Sequence, residues 1–180
     1  MTAQSDDQLS VPVGARDHSQ GPATARITLV QYGDYECPYS RQARPFVQEL
    51  QQRFGDHLRY VYRNFPLAHA HPHARHAAEA AEAAGAQGAF WEMYDYLFAH
   101  QRELDDDGLM AAAQTLGLDL ERFDGDMRQH TYAERVREDH ESGVRSGVIG
   151  TPTFFVNGVR QGGPGDFDVA LAAIEGASTE

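Results

Sequence analysis

Residues 26–65 read RITLVQYGDYECPYSRQARPFVQELQQRFGDHLRYVYRNF, and the spacing of apolar residues within them decides the fold. Arg26 to Tyr32 is a short β-favouring run, with Ile27, Leu29 and Gln31 on one face and Val30 and Tyr32 on the other. Gly33-Asp34 breaks it. Beyond Cys37 the period becomes helical: Phe46, Val47, Leu50 and Phe54 fall at i, i+1, i+4 and i+8, and Gly55 stops the run. Leu58 to Phe65 alternates as a second strand, closed by Pro66. A strand, a helix and a strand at this spacing make a βαβ unit, which implies parallel strands and a right-handed crossover.

On the N-terminal side, residues 1–25 are polar, run to Gly21-Pro22, and read as an arm leading into the fold. On the other side, residues 66–146 read as a helical insertion. Ala74 to Ala84 is a strong helix former ended by Gly85, and Phe90, Met93, Tyr94, Leu97 and Phe98 make an apolar stripe. Asp105 to Asp107 offer N-caps for a run containing Leu109, Met110, Ala113 and Leu116. Leu120, Phe123 and Met127 continue the pattern, and a charged helix covers about Tyr132 to Ser146. Strand signals resume in residues 147–180, where Thr153–Val156 and Val159–Gln161 flank Asn157-Gly158, the dipeptide that type I′ hairpins prefer. Asp166 is expected to cap a last helix with Phe167, Ala170, Leu171 and Ile174 inward. The order βαβ (26–65), insertion (66–146), ββα (147–180) predicts an α/β fold, one sheet with helices on both faces.

Composition narrows the function. A chain of 180 residues, 41% hydrophobic and 23% charged, suits one soluble domain. Fifteen basic against 27 acidic residues leave a formal charge of −12, which repels nucleic-acid phosphates and anionic lipid, so neither nucleic acid nor membrane is an expected partner. Met1 to Ser10 has neither a basic nor an apolar leader region, and the single cysteine cannot form an intramolecular disulfide. Both features predict a cytoplasmic protein.

Cys37-Pro38-Tyr39-Ser40 sits where a strand hands over to a helix. Free N–H groups and the macrodipole at a helix N-terminus stabilise an anion, so a thiol there is activated as a nucleophile. Pro38 suits the first helical position, where no N–H is needed, and Ser40 is one turn on, within reach of the sulfur. Asp34 and Glu36 oppose ionisation. A lone cysteine is more often an inert buried thiol, and the placement at a strand–helix junction is what favours function. On local physics alone Pro152, before the TFFV run, is an ordinary strand-start proline.

Other clusters have structural explanations. His69, His71, His73 and His76 are interrupted by Pro72 and do not converge on one regular element, so no metal is expected. Phe90, Trp91, Tyr94 and Phe98 read as core, Asp105–Asp107 as caps and Gly162–Gly165 as a turn without the lysine of a phosphate loop.

YECPYS after a strand, Pro45 inside the following helix, the stretch HPHARHAAEAAEAAGAQGAFWEMYDYLF and the late VIGTPTFFVNG together resemble the DsbA-like branch of the thioredoxin superfamily, over about residues 18–175. The resemblance implies a thioredoxin-like fold, with a mixed four-stranded core sheet flanked by helices and a helical insertion. It implies that Cys37 is the nucleophile, that Pro38 and Tyr39 tune it and contact the partner, and that Gly150, Thr151 and Pro152 form a cis-proline loop facing it and docking an extended substrate. Pro45 would be the proline that kinks the active-site helix.

The family pattern is Cys-X-X-Cys, and here Ser40 stands at the second cysteine. A serine hydroxyl cannot resolve a mixed disulfide, so an external thiol must. Three readings of Ser40 are open: a natural monothiol enzyme, an engineered replacement of a resolving cysteine, or departure from redox work. The leading expectation is a bacterial thiol–disulfide oxidoreductase acting through Cys37, with Ser40 hydrogen-bonded to its sulfur. Its partners would be protein thiols or disulfides and glutathione as co-substrate, with no other cofactor. The alternatives are a kappa-like glutathione transferase or isomerase, and a non-catalytic peptide-binding module. The sequence leaves monomer and homodimer equally open.

Overall fold

The computed structural model describes residues 7–179. The first six residues of the expected arm lie outside that range. Among the described residues a single five-stranded sheet runs in the order β1-β3-β2-β4-β5, formed by His18–Gln20 (β1), Ile27–Gly33 (β2), Leu58–Asn64 (β3), Thr153–Val156 (β4) and Val159–Arg160 (β5). Seven helices accompany it: Pro38–Phe54 (α1), Ala74–Gly85 (α2), Phe90–Ala99 (α3), Asp106–Thr115 (α4), Leu120–Arg128 (α5), Ala133–Arg145 (α6) and Phe167–Ser178 (α7). β2 and β3 are parallel, as the βαβ reading requires, while β4 is antiparallel to β2. Among the described residues no helix is long and apolar enough to cross a membrane.

The alternation in β2 divides the core. Ile27 and Leu29 join Leu58, Tyr60, Tyr62, Phe154 and Val156 under α1, α7 and the insertion, while Val30 and Tyr32 join Val61, Phe65 and Phe155 on the other face. Gln31, on the first face, is buried and accepts a hydrogen bond from Tyr60 Oη at 2.8 Å. Asn157 and Gly158 both take positive φ, as a type I′ turn demands. Asp105 caps α4 by accepting from Gly108 N, as expected. Asp166 departs from expectation. It precedes α7, but its side chain turns back to Gly163 N and leaves the helix without a side-chain cap.

The arm is the larger surprise. Gln8 bridges to Val159 beside β5, Leu9 and Val13 pack on the second core, and residues 18–20 pair antiparallel with β3 as an edge strand. Residues 7–20 therefore strap the second face from one sheet edge to the other, and the expected four strands become five. The buried Arg63 guanidinium holds the strap, donating to both Asp17 carboxylate oxygens (2.8 and 3.0 Å) and to the carbonyls of Val11 and Pro12. Burial pushes Asp17 up, but the Arg63 hydrogen bonds outweigh it and its carboxyl lies below its ordinary range.

Asn64, the last residue of β3, joins α2 and α6 to the sheet. Its Nδ2 donates to Glu82 Oε1 (2.8 Å) and Asp139 Oδ2 (3.1 Å), and its N–H donates to Asp139 Oδ2 (3.0 Å). Burial pushes Asp139 up to about 6, against the pull of Arg135.

Candidate active site

The carboxyl ends of β2 and β3 and the start of β4 meet at one rim of the sheet. Tyr32 pairs with Thr153, which sets Pro152 beside Gly33, four residues before Cys37. Gly33 is required there, because a Cβ would lie 2.5 Å from the Tyr62 ring. The Thr151–Pro152 bond is cis, as the resemblance implies and local physics does not. Gly165 N donates to Pro152 O at 2.8 Å, and Thr153 Oγ1 to Gly150 O at 2.7 Å, so the turn is held from both sides.

Cys37 is the N-cap of α1, with Pro38 as its first helical residue and Pro45 inside it. The thiol donates to Thr151 O at 3.5 Å, which brings together the two sequence elements assigned to the site. Cys37 is only 4% exposed, more enclosed than a freely reactive thiol, but it is enclosed by the Thr–Pro turn. Around it Tyr39 is 60% and Ile149 81% exposed, giving the rim an apolar surface. Thr151 Oγ1 is buried beside the sulfur's acceptor without a hydrogen-bond partner.

Ser40 corrects one expectation. It is fully buried, and its Oγ accepts from Asp34 N at 3.2 Å, while the sulfur's hydrogen bond goes to Thr151. The hydroxyl therefore ties down the loop ahead of Cys37 and does not bond the thiol.

Asp34 and Glu36, read from the sequence only as charges opposing ionisation, and Gln101, which the sequence did not point to, also hold that loop. Asp34, buried, accepts from Glu36 N, from Leu67 N and from His71 Nδ1, the last two at 2.9 and 2.8 Å. Glu36 Oε2 accepts from His73 N. Gln101, just after α3, donates from Nε2 to Tyr35 O (2.8 Å) and Cys37 O (2.9 Å). The histidine-rich stretch is thus dispersed: His71 faces Asp34, and His76 faces Asp106. Among the described residues no three His, Cys, Asp or Glu side chains gather as metal ligands. Beside Pro38 a recess of about 590 Å³ is lined by Arg41, Gln42, Arg44, Pro45 and Phe98.

Comparisons with known proteins agree with the fold. A family model described as thioredoxin matches residues 15–176. A thioredoxin-like oxidoreductase from Silicibacter pomeroyi superposes with a TM-score of 0.80 at 26% identity, over 93% of this chain and 95% of that one. Oxidised BdbD from Bacillus subtilis shares the fold with a TM-score of 0.78 at 22% identity, over 97% of this chain and all of that one. A curated relative from Salinispora arenicola, named Na(+)/H(+) antiporter NhaA 1, is 51% identical over 170 residues, 94% of this chain and 26% of that protein. The chain thus spans about a quarter of the length of the curated relatives it matches.

Proposed function

This chain belongs to the thioredoxin family, with the fold of its DsbA-like oxidoreductases, and from that premise we propose that it exchanges thiols and disulfides through Cys37 alone. The observation that carries the reading is the Cys37 thiol at the N-cap of α1, bonded to the carbonyl of Thr151 in the cis turn. The thiolate, not the thiol, is the attacking species in such an exchange. The Cys37 proton passes to solvent, and the thiolate attacks one sulfur of a partner disulfide. The new S–S bond forms as the partner's own S–S bond breaks, and the departing thiolate takes up a proton.

Release follows a different course from that of a dithiol enzyme. Ser40 Oγ is no electron-pair donor to sulfur and is engaged by Asp34 N, so the mixed disulfide waits for an external thiol. Glutathione is the co-substrate we favour. Arg41 lines the recess beside Pro38 together with Arg44, whose Nε is paired with Asp95 at 2.7 Å, and this basic lining in an otherwise strongly acidic chain suits a carboxylate of a small anionic thiol. The partner's protein chain would run along the Thr151–Pro152 turn, between Tyr39 and Ile149. The antiporter-named relatives support a setting as well: an exchange unit working beside a cation–proton antiporter.

The test is incubation of the reduced protein with oxidised glutathione, followed by intact mass measurement. One glutathionyl adduct is expected, absent from Cys37→Ala and removed by excess dithiothreitol. No adduct on the parent protein would exclude exchange through Cys37. It would leave a peptide-binding module, whose partners Cys37→Ala would still hold.

A further inference from the structure

We infer that Gln101 is the positioning residue for the Cys37 nucleophile, acting from the helical insertion; the inference rests on the exchange chemistry proposed for that thiol. Residues 35–37 bring the chain from the end of β2 to the N-cap of α1. Two of their carbonyls, of Tyr35 and Cys37, point at one atom, Gln101 Nε2, at 2.8 and 2.9 Å. Both partners only accept, so the atom facing them is the amide nitrogen, and its two protons are fully used. The Cys37 carbonyl also receives the N–H of Arg41, so the same oxygen closes the first turn of α1.

The electrostatic consequence is direct. A thiolate is stabilised by N–H groups and destabilised by carbonyl oxygens nearby. Pinning both carbonyls toward Gln101 compensates their partial negative charge and keeps them turned to the insertion. It leaves the helix N-terminus and the Thr151 carbonyl, to which the thiol donates at 3.5 Å, as the groups facing the sulfur. The grip on residue 35 is double, because its ring packs on Phe98 of α3 at 5.0 Å and on Tyr94 at 6.2 Å while its carbonyl bonds Gln101. α3 and the residue just past it therefore determine how the loop presents Cys37. Sequence gives no hint of this, since Gln101 is a polar residue in a connection 64 positions from the thiol.

The decisive measurement is the pH profile of iodoacetamide alkylation of Cys37, alongside thermal unfolding, in three variants. Gln101→Leu removes the donors at similar size, Gln101→Glu turns acceptor oxygens toward the two carbonyls, and Gln101→Lys keeps donors and adds positive charge. The profile should move to higher pH by roughly 0.5–1 in Gln101→Leu and further in Gln101→Glu. In Gln101→Lys it should return to the parent's position or below. If Gln101→Glu does not fold, the Leu and Lys variants carry the comparison. Profiles that superimpose on the parent while the unfolding temperature falls would reduce Gln101 to a structural contact and overturn the inference. Alkylation needs no disulfide exchange, so failure of glutathione capture would leave this result readable by itself.

Discussion

Position 40 turns on a single atom. Its oxygen is fully buried and accepts the Asp34 N–H, so the residue serves the loop and cannot serve resolution. Cysteine differs from serine only in carrying the larger sulfur atom, and the site lies one helical turn from Cys37. Ser40→Cys is therefore expected to fold and to gain a two-hydrogen mass loss on oxidation by diamide, the mark of an internal disulfide. The same variant should release glutathione from Cys37 without added thiol. A persistent mixed disulfide in Ser40→Cys would show that geometry, and not the missing sulfur, blocks resolution. Cys37 and its proline neighbour were legible as a site because a strand-to-helix junction with Cys-Pro has a mechanism attached. The anchoring roles of Asp34, His71 and Gln101 were not, because each works through a partner 33 to 66 residues away: Asp34 through Leu67 N, His71 through the Asp34 carboxylate and Gln101 through the Tyr35 and Cys37 carbonyls.

Among the elements, the βαβ unit, the hairpin and the insertion's helices follow from periodicity and caps, and the structure puts them within a residue or two of where the pattern does. The failures are instructive. β1 is three residues of His-Ser-Gln, too short and too polar to announce a strand, and it forms because β3 offers an unpaired edge. Its strap is fastened at Arg63, a residue of β3 that the sequence pattern does not single out. Side chains of Arg63 and Asp17 are 3% and 8% exposed, so this is a buried, bidentate pair. Removing one partner of such a pair strands a buried charge and costs about 3–5 kcal/mol. Arg63→Ala should lower the urea midpoint accordingly and expose residues 7–20 to limited proteolysis. A loss under about 1 kcal/mol, the worth of a surface pair, would contradict this account.

For the whole molecule, acid balance is the lever. Asp139 is buried near Glu82 and is pushed up to about 6 from an ordinary 3.8, with Arg135 and Arg63 pulling the other way. The folded chain holds this proton more tightly than the unfolded one. Its contribution is therefore fully present below about pH 4 and is lost as pH rises through about 6, amounting to about 3 kcal/mol by linkage. Asp139→Asn should remove that dependence. Relative to the parent, its urea stability should be better at pH 7 than at pH 4.5 by about 2 kcal/mol. A parent-to-variant difference that stays constant with pH would mean that Asp139 does not titrate in this range.

Residues 7–20, finally, reach both margins of the sheet, at Val159 and along Tyr60–Tyr62. An unprotected margin of backbone N–H and C=O groups is a template for another chain, and here one short polar segment covers both. The strap is thus a solubility device as much as a stabilising one. Cleaving it would leave the rim around Cys37 in place while offering neighbouring molecules two places to pair, so that crowding, and not loss of the thiol, would end its working life.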